Sequence, residues 1–142
     1  AVDPYFLISS TTKSNLIRHA RDLNTQRPDW VVRRIMEVEA NYDAVICYGL
    51  TYKPDINDLR ESAALKIAKK LSKQIGERVM CVDPHVQGDL RDIKLITSDF
   101  LATLESDGLS YLFVILVNHS FISNIKLSEN FDILDFTYSK RK

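Results

Sequence analysis

Glycine is scarce in this 142-residue chain: Gly49, Gly76, Gly88 and Gly108 are all of it. No GxGxxG turn and no P-loop can be written from four glycines so placed, and both devices need glycine where backbone must approach a pyrophosphate closely. An ordinary nicotinamide-dinucleotide domain is therefore excluded within the chain. Cysteine is scarcer still. Cys47 and Cys81 each fall inside a strand-like apolar run, which reads as two reduced, buried thiols and neither a disulfide framework nor a metal pair. The expectation is a cytoplasmic protein. Net charge is missing as well, with 19 Lys and Arg against 19 Asp and Glu, so no global field draws the chain to nucleic acid or to an acidic membrane. The one basic run, Lys140 to Lys142, reads as a frayed terminus. No window approaches the roughly eighteen apolar residues of a membrane span; the longest candidate, Tyr111 to Val117, is strand length. The opening AVDPYFLISS has no basic start followed by an apolar stretch, so no signal peptide is expected. Without an initial Met, it reads as the interior of something longer.

What is present is an ordinary globular composition, 45% apolar and 27% charged, enough to bury a core in one domain. Residues 1–40 read as helical. Leu16, Ala20 and Leu23 recur at i, i+4, i+7, and Val31, Ile35 and Val38 repeat the pattern beyond Pro28. Two amphipathic helices, or one kinked at Pro28, satisfy this spacing. Their single apolar stripe requires docking on the rest of the chain or on a second copy.

Residues 41–142 alternate strand and helix. Asp43 to Gly49 is apolar nearly throughout, the mark of a central strand covered on both faces. Ala64, Ala68, Leu71 and Ile75 form a helical stripe that stops at Gly76, its start capped by Asp58 with Glu61 or by Ser62 alone. Further strands are expected at Arg78 to Asp83, Ile93 to Thr97, Tyr111 to Val117 and Phe131 to Phe136, with a short helix at Phe100 to Leu104. The predicted fold is α/β: a Rossmann-like, doubly wound, mainly parallel sheet of five or six strands, preceded by a helical linker.

The richest segment is Tyr48 to Ser62, YGLTYKPDINDLRES, a polar loop crossing from the first strand to its helix. Open α/β sheets place ligands at such loops. Lys53, just past the strand end, either reaches a phosphate or carboxylate or is a solvated loop lysine. Arg60 opposes the dipole of the helix it precedes and calls for an anion, which Asp55, Asp58 or an outside ligand could supply. His119 follows the fourth strand on the ligand-bearing edge, where a lone histidine is more often hydrogen-bonded than catalytic. His19 and His85 have no neighbours at ligand spacing, so no metal site is expected. No GxSxG elbow supports a serine nucleophile. The residues alone lead to an anion-binding α/β domain.

The loop GLTYKPDINDLRES closely resembles the signature of the C-terminal domain of the UDP-glucose/GDP-mannose dehydrogenase family, and its NDLRESAAL version resembles the branch that acts on UDP-N-acetyl-D-mannosamine. Weaker similarities cover the rest: AVDP, LIRHARDLN, RPDWVV, CVDP and NHSF. The resemblance implies oxidation of the C6 alcohol of a nucleotide sugar to a carboxylate with two NAD per turnover, through a thiohemiacetal and thioester on a cysteine. That cysteine closes a GxC segment and would itself sit two positions upstream of Ala1, with the NAD-binding domain and the acid/base lysine also upstream.

Carried over by position, Asp3 matches an aspartate that assists thioester hydrolysis, Tyr52 and Lys53 match contacts to the UDP-sugar, and Arg60 matches a cation that reaches NAD. A further substrate-binding cation is expected after the fifth strand. Thr137 stands there instead, so the match slips toward Lys140 or the grip on the sugar differs. The resemblance also makes residues 1–40 the interdomain linker and a homodimer contact, and this chain inactive without its missing NAD-binding domain. Two alternatives stay open: a non-catalytic nucleotide-sugar binding or dimerisation module, and a dehydrogenase for UDP-glucose or GDP-mannose.

Overall fold

The computed structural model describes residues 15–104 and 107–137. Asp3 and Lys140 lie outside the described residues. The chain runs α1 (Asn15–Met36), β1 (Ala44–Tyr48), α2 (Ala63–Ile75), β2 (Val79–Val82), β3 (Lys94–Leu95), α3 (Ser98–Thr103), β4 (Tyr111–Ile115) and β5 (Phe131–Asp135). All five strands are parallel, in the order β3-β2-β1-β4-β5. The apolar β1, buried at every position, is the centre of the sheet, as its composition requires.

Side chains alternate between two covered faces. Val45, Cys47, Val79, Cys81, Leu112 and Val114 meet α1 and α2 through Val32, Ile35, Ile67 and Leu71. Ile46, Tyr48, Met80, Val82, Phe113 and Ile115 meet Leu101 and Leu104 around α3, together with Ile122 and Ile125. The third strand is shorter than its sequence suggests: Thr97 leaves the sheet to cap α3, its hydroxyl accepting from the Phe100 N–H at 3.1 Å.

Between the two readings of the first segment, one helix runs through Pro28, which is buried. Only its C-terminal half docks, through Val31, Val32 and Ile35, whereas Leu16 and Leu23 remain 83% and 69% exposed. No helix among the described residues is long and apolar enough to cross a membrane.

Strand order reverses between β1 and β4, because the chain leaves β1 toward β2 and leaves β4 toward β5. Every strand being parallel, all carboxyl ends share one edge. The loops after β1, β2 and β4 converge there, at the point where open α/β sheets form a crevice.

Candidate functional site

The loop from Gly49 to Ser62 is tied down at both ends. Gly49 takes φ +80°, and an added Cβ would lie 2.5 Å from the Val117 carbonyl oxygen, so the residue after β1 presses directly on the chain leaving β4. The next amide, Leu50 N–H, donates to Asp83 Oδ2 at 2.6 Å. At the far end, buried Ser62 donates its hydroxyl to the Leu50 carbonyl at 2.6 Å and accepts from the Leu65 N–H at 3.1 Å, closing the loop and capping α2 at once. Ser62 alone is therefore the cap. Inside the loop, Tyr52 N–H donates to the Asp58 carbonyl at 2.7 Å and Thr51 Oγ donates to the Lys53 carbonyl at 2.9 Å.

This frame presents Tyr52 and Lys53 outward. Tyr52 is 46% exposed, and the Lys53 ammonium stands 5.5 Å from the centre of its ring, a cation and an aromatic face side by side at the crevice. Arg60 finds its anion in Asp58: Nε donates to Oδ1 at 2.9 Å and Nη2 to Oδ2 at 2.8 Å, a bidentate fork. The Arg60 side chain is still 89% exposed. The fork, with the Arg60 backbone N–H beside it, holds the Asp58 carboxyl down at about 2.

Asp55 turns the other way. Held at φ +59°, it accepts from the Ser120 N–H at 2.9 Å and from the Ser120 hydroxyl at 3.0 Å, bonds that keep its carboxyl below the usual carboxylate range. It thus links the loop after β1 to the turn after β4.

Beneath lies a buried polar network. Asp83, ending β2, receives Leu50 N–H, the His85 N–H at 2.8 Å and the His119 ring at 3.1 Å. His119 is fully buried. Its Nδ1 accepts from the Asp55 N–H at 3.0 Å, while Nε2 faces two acceptors, Asp83 Oδ2 and, at 3.4 Å, Thr51 Oγ. These partners fix the Nε2–H tautomer. Tyr48 packs edge-on against the same ring, with its hydroxyl buried and unpartnered among the described residues; burial, then the charges of Asp83 and Asp55, push its phenol far up. His85 stacks on His119, ring centres 4.9 Å apart, and its Nε2 lies 3.5 Å from Asp55 Oδ1.

Of the residues singled out from sequence, Tyr52, Lys53 and Arg60 thus share one loop. Thr137 lies beyond β5 and bonds Asp135 through N–H and hydroxyl, both at 2.7 Å. Two things escaped the sequence reading. Asp83 is the hub of the network, and His85, expected to lack neighbours, sits with Asp55 and His119 in a cluster whose donor atoms lie within 4.8 Å of one another. A register count would have found both, since Asp83, His85 and His119 all closely follow parallel strands that end on one edge.

Residues 46–137 match the family model described as the UDP-glucose/GDP-mannose dehydrogenase family, UDP binding domain. The chain is 33% identical over 132 residues to a UDP-N-acetyl-D-mannosamine dehydrogenase of Escherichia coli strain K12, covering 84% of this chain and 31% of that protein. It is 32% identical over 125 residues to an NDP-N-acetyl-D-galactosaminuronic acid dehydrogenase of Ralstonia nicotianae, covering 84% of this chain and 28% of that one. Among solved structures it is similar to the UDP-N-acetyl-mannosamine dehydrogenase Cap5O of Staphylococcus aureus, at a TM-score of 0.69 and 29% identity over 97% of this chain and 33% of that chain. The chain therefore spans about a third of the length of these relatives. A Rossmann-like sheet, a signature loop at its switch point and a family match over most of the sheet agree, and the chain belongs to the UDP-glucose/GDP-mannose dehydrogenase family.

Proposed function

We propose that the chain supplies the UDP-sugar-binding part of an NAD-dependent UDP-N-acetyl-D-mannosamine 6-dehydrogenase, a cytoplasmic homodimer in which residues 1–40 act as interdomain linker and dimer contact. The observation that carries this reading is the loop at the switch point, closed by Ser62 and anchored by Asp83, which offers Tyr52 and Lys53 outward. An exposed ammonium beside an aromatic face suits a diphosphate and its attached ring, one by charge and one by stacking. In the complete protein Lys53 and Tyr52 hold the nucleotide sugar, and Asp3 assists hydrolysis of the thioester formed on the upstream cysteine.

Bound NAD would supply the hydride acceptor for oxidation at C6. The fit of this chain to NAD is confined to Arg60. Its Nε and Nη2 are spent on Asp58, and the largely exposed guanidinium leaves Nη1 for a phosphate arriving from outside. At Gly49, where a pyrophosphate would approach, the space a Cβ would fill is taken by Val117, so that turn offers no cradle. This agrees with an NAD-binding domain contributed by another part of the protein, and with a fragment that is inactive alone. Thr137, where the family expects a substrate-binding cation, supports a distinct grip on the sugar.

Titration of the chain with UDP, followed by NMR, tests the reading, with Lys53→Ala and NAD alongside. Saturable binding is expected with Kd of ~1 mM or weaker, because contacts from the rest of the protein are missing, with shifts confined to the 49–62 loop and lost in Lys53→Ala. A folded chain that ignores UDP, or that binds it equally without Lys53, overturns the assignment.

A further inference from the structure

We infer that Asp55, His85 and His119 form a site for a first-row divalent cation of the Zn2+ class, one that clamps the signature loop to the ends of β2 and β4. His85 Nε2 and His119 Nδ1 lie 3.5 Å and 3.8 Å from Asp55 Oδ1. Donors bound at 2.0–2.1 Å around a tetrahedral metal stand about 3.3 Å apart, and the three donor atoms already lie within 4.8 Å of one another; coordination requires the Asp55 backbone N–H to move off His119 Nδ1. Two imidazoles and a carboxylate are the ligand chemistry such an ion selects, and three protein ligands leave one position open.

The surroundings are already built for it. A ligating histidine commonly has its second nitrogen held by a carboxylate, a backbone carbonyl or water, and His119 Nε2–H has buried Asp83 in that place at 3.1 Å. The same Asp83 fixes the His85 backbone through its other oxygen. Ser120, the neighbour of His119, holds Asp55 Oδ1 through its N–H and hydroxyl, so each ligand is positioned by residues that are not ligands. Access is open: His85 lines a cavity of about 500 Å³ with Pro84, Ser98, Ser120, Phe121 and Asn124. The ion takes the Nδ1 lone pair that otherwise accepts the Asp55 N–H and replaces the contact of the His85 ring with the Asp55 carboxylate, exchanging those two interactions for three ligand bonds. The site does not depend on nucleotide-sugar binding.

The test is titration of chelator-treated chain with Zn2+ against a chromophoric chelator, with Co2+ absorption as a second readout. His85→Ala and Asp55→Asn remove ligands that are partly exposed, so the fold survives; His19→Ala, on the solvent-facing part of α1, is the control. One equivalent of Zn2+ is expected, weakened at least about 10-fold by either ligand change and unaffected by His19→Ala or by excess Mg2+. Absence of stoichiometric binding at micromolar protein, or binding that either ligand variant leaves intact or that the control weakens as much, overturns the site.

Discussion

Gly49→Ala is the sharpest test of how the site is built, because Gly108 supplies its control. Gly49 and Gly108 sit at φ +80° and +79°, so an alanine meets nearly the same unfavourable φ in both. That conformational cost is ~1–2 kcal/mol, and the gain from a stiffer unfolded chain is common to both variants and cancels in the comparison. The surroundings differ completely. Among the described residues nothing lies within 4 Å of a Cβ at Gly108, whereas at Gly49 it would stand 2.5 Å, 2.7 Å and 2.9 Å from the carbonyl oxygen, Cβ and nitrogen of Val117. Val117 cannot retreat freely, since its N–H reaches the Tyr48 carbonyl and its own carbonyl accepts the His119 N–H at 3.2 Å. Overpacking of this kind adds ~1–3 kcal/mol. The expected losses are therefore ~1–2 kcal/mol for Gly108→Ala and ~2–5 kcal/mol for Gly49→Ala, the latter a large share of the ~5–15 kcal/mol typical of a domain. Guanidinium unfolding at equal slope reads both as midpoint shifts. Equal midpoints for the two variants would mean that the contact between Gly49 and Val117 does not constrain the switch point, and the account of the loop's anchorage would fail.

Asp83→Ala should cost roughly 2–5 kcal/mol by urea unfolding, because it strands the buried His119 Nε2–H and the Leu50 N–H together; a loss under 1 kcal/mol would show that Asp83 is no hub. The Asp58 carboxyl, lowered from 3.8 to about 2 by Arg60, contributes stability that is complete above the ordinary carboxylate range and disappears as pH falls toward 2. In Arg60→Ala its NMR titration midpoint should rise from about 2 toward the ordinary range, stopping short of it because the backbone N–H at position 60 still donates, and a midpoint left near 2 would place the cause elsewhere.

The sheet was legible because burial on both faces writes a continuous apolar run, as in Ala44–Tyr48 and Tyr111–Ile115, and because Ser62 and Gly76 mark the ends of α2 by local chemistry. The edge strand was less so. Only Lys94 and Leu95 are bounded as strand, and the pull of Thr97 toward α3 is a competition between two local preferences that composition does not rank. The loop could be read as a site, but its internal pairing could not: Asp55 and Asp58 were equal candidates for Arg60 until the turn placed Asp58 beneath the guanidinium and sent Asp55 to Ser120. Contacts between His85 and His119 arise solely from strand order, which links residues with no relation in periodicity.

The thiols at the centre of the sheet carry a consequence of their own. Cys47 and Cys81 are register partners on β1 and β2 with no exposed surface, and the hydrogen bond with Cys47, together with burial, holds Cys81 protonated well beyond its ordinary range. A thiol both unreachable and protonated is silent to alkylating reagents until the strands around it part. Core strands of a sheet generally open only at close to the free energy of global unfolding, so the rate at which iodoacetamide consumes the two cysteines is expected to count visits of the chain to its unfolded state. The protein thus carries a built-in clock of its own opening, readable by intact mass with no probe attached.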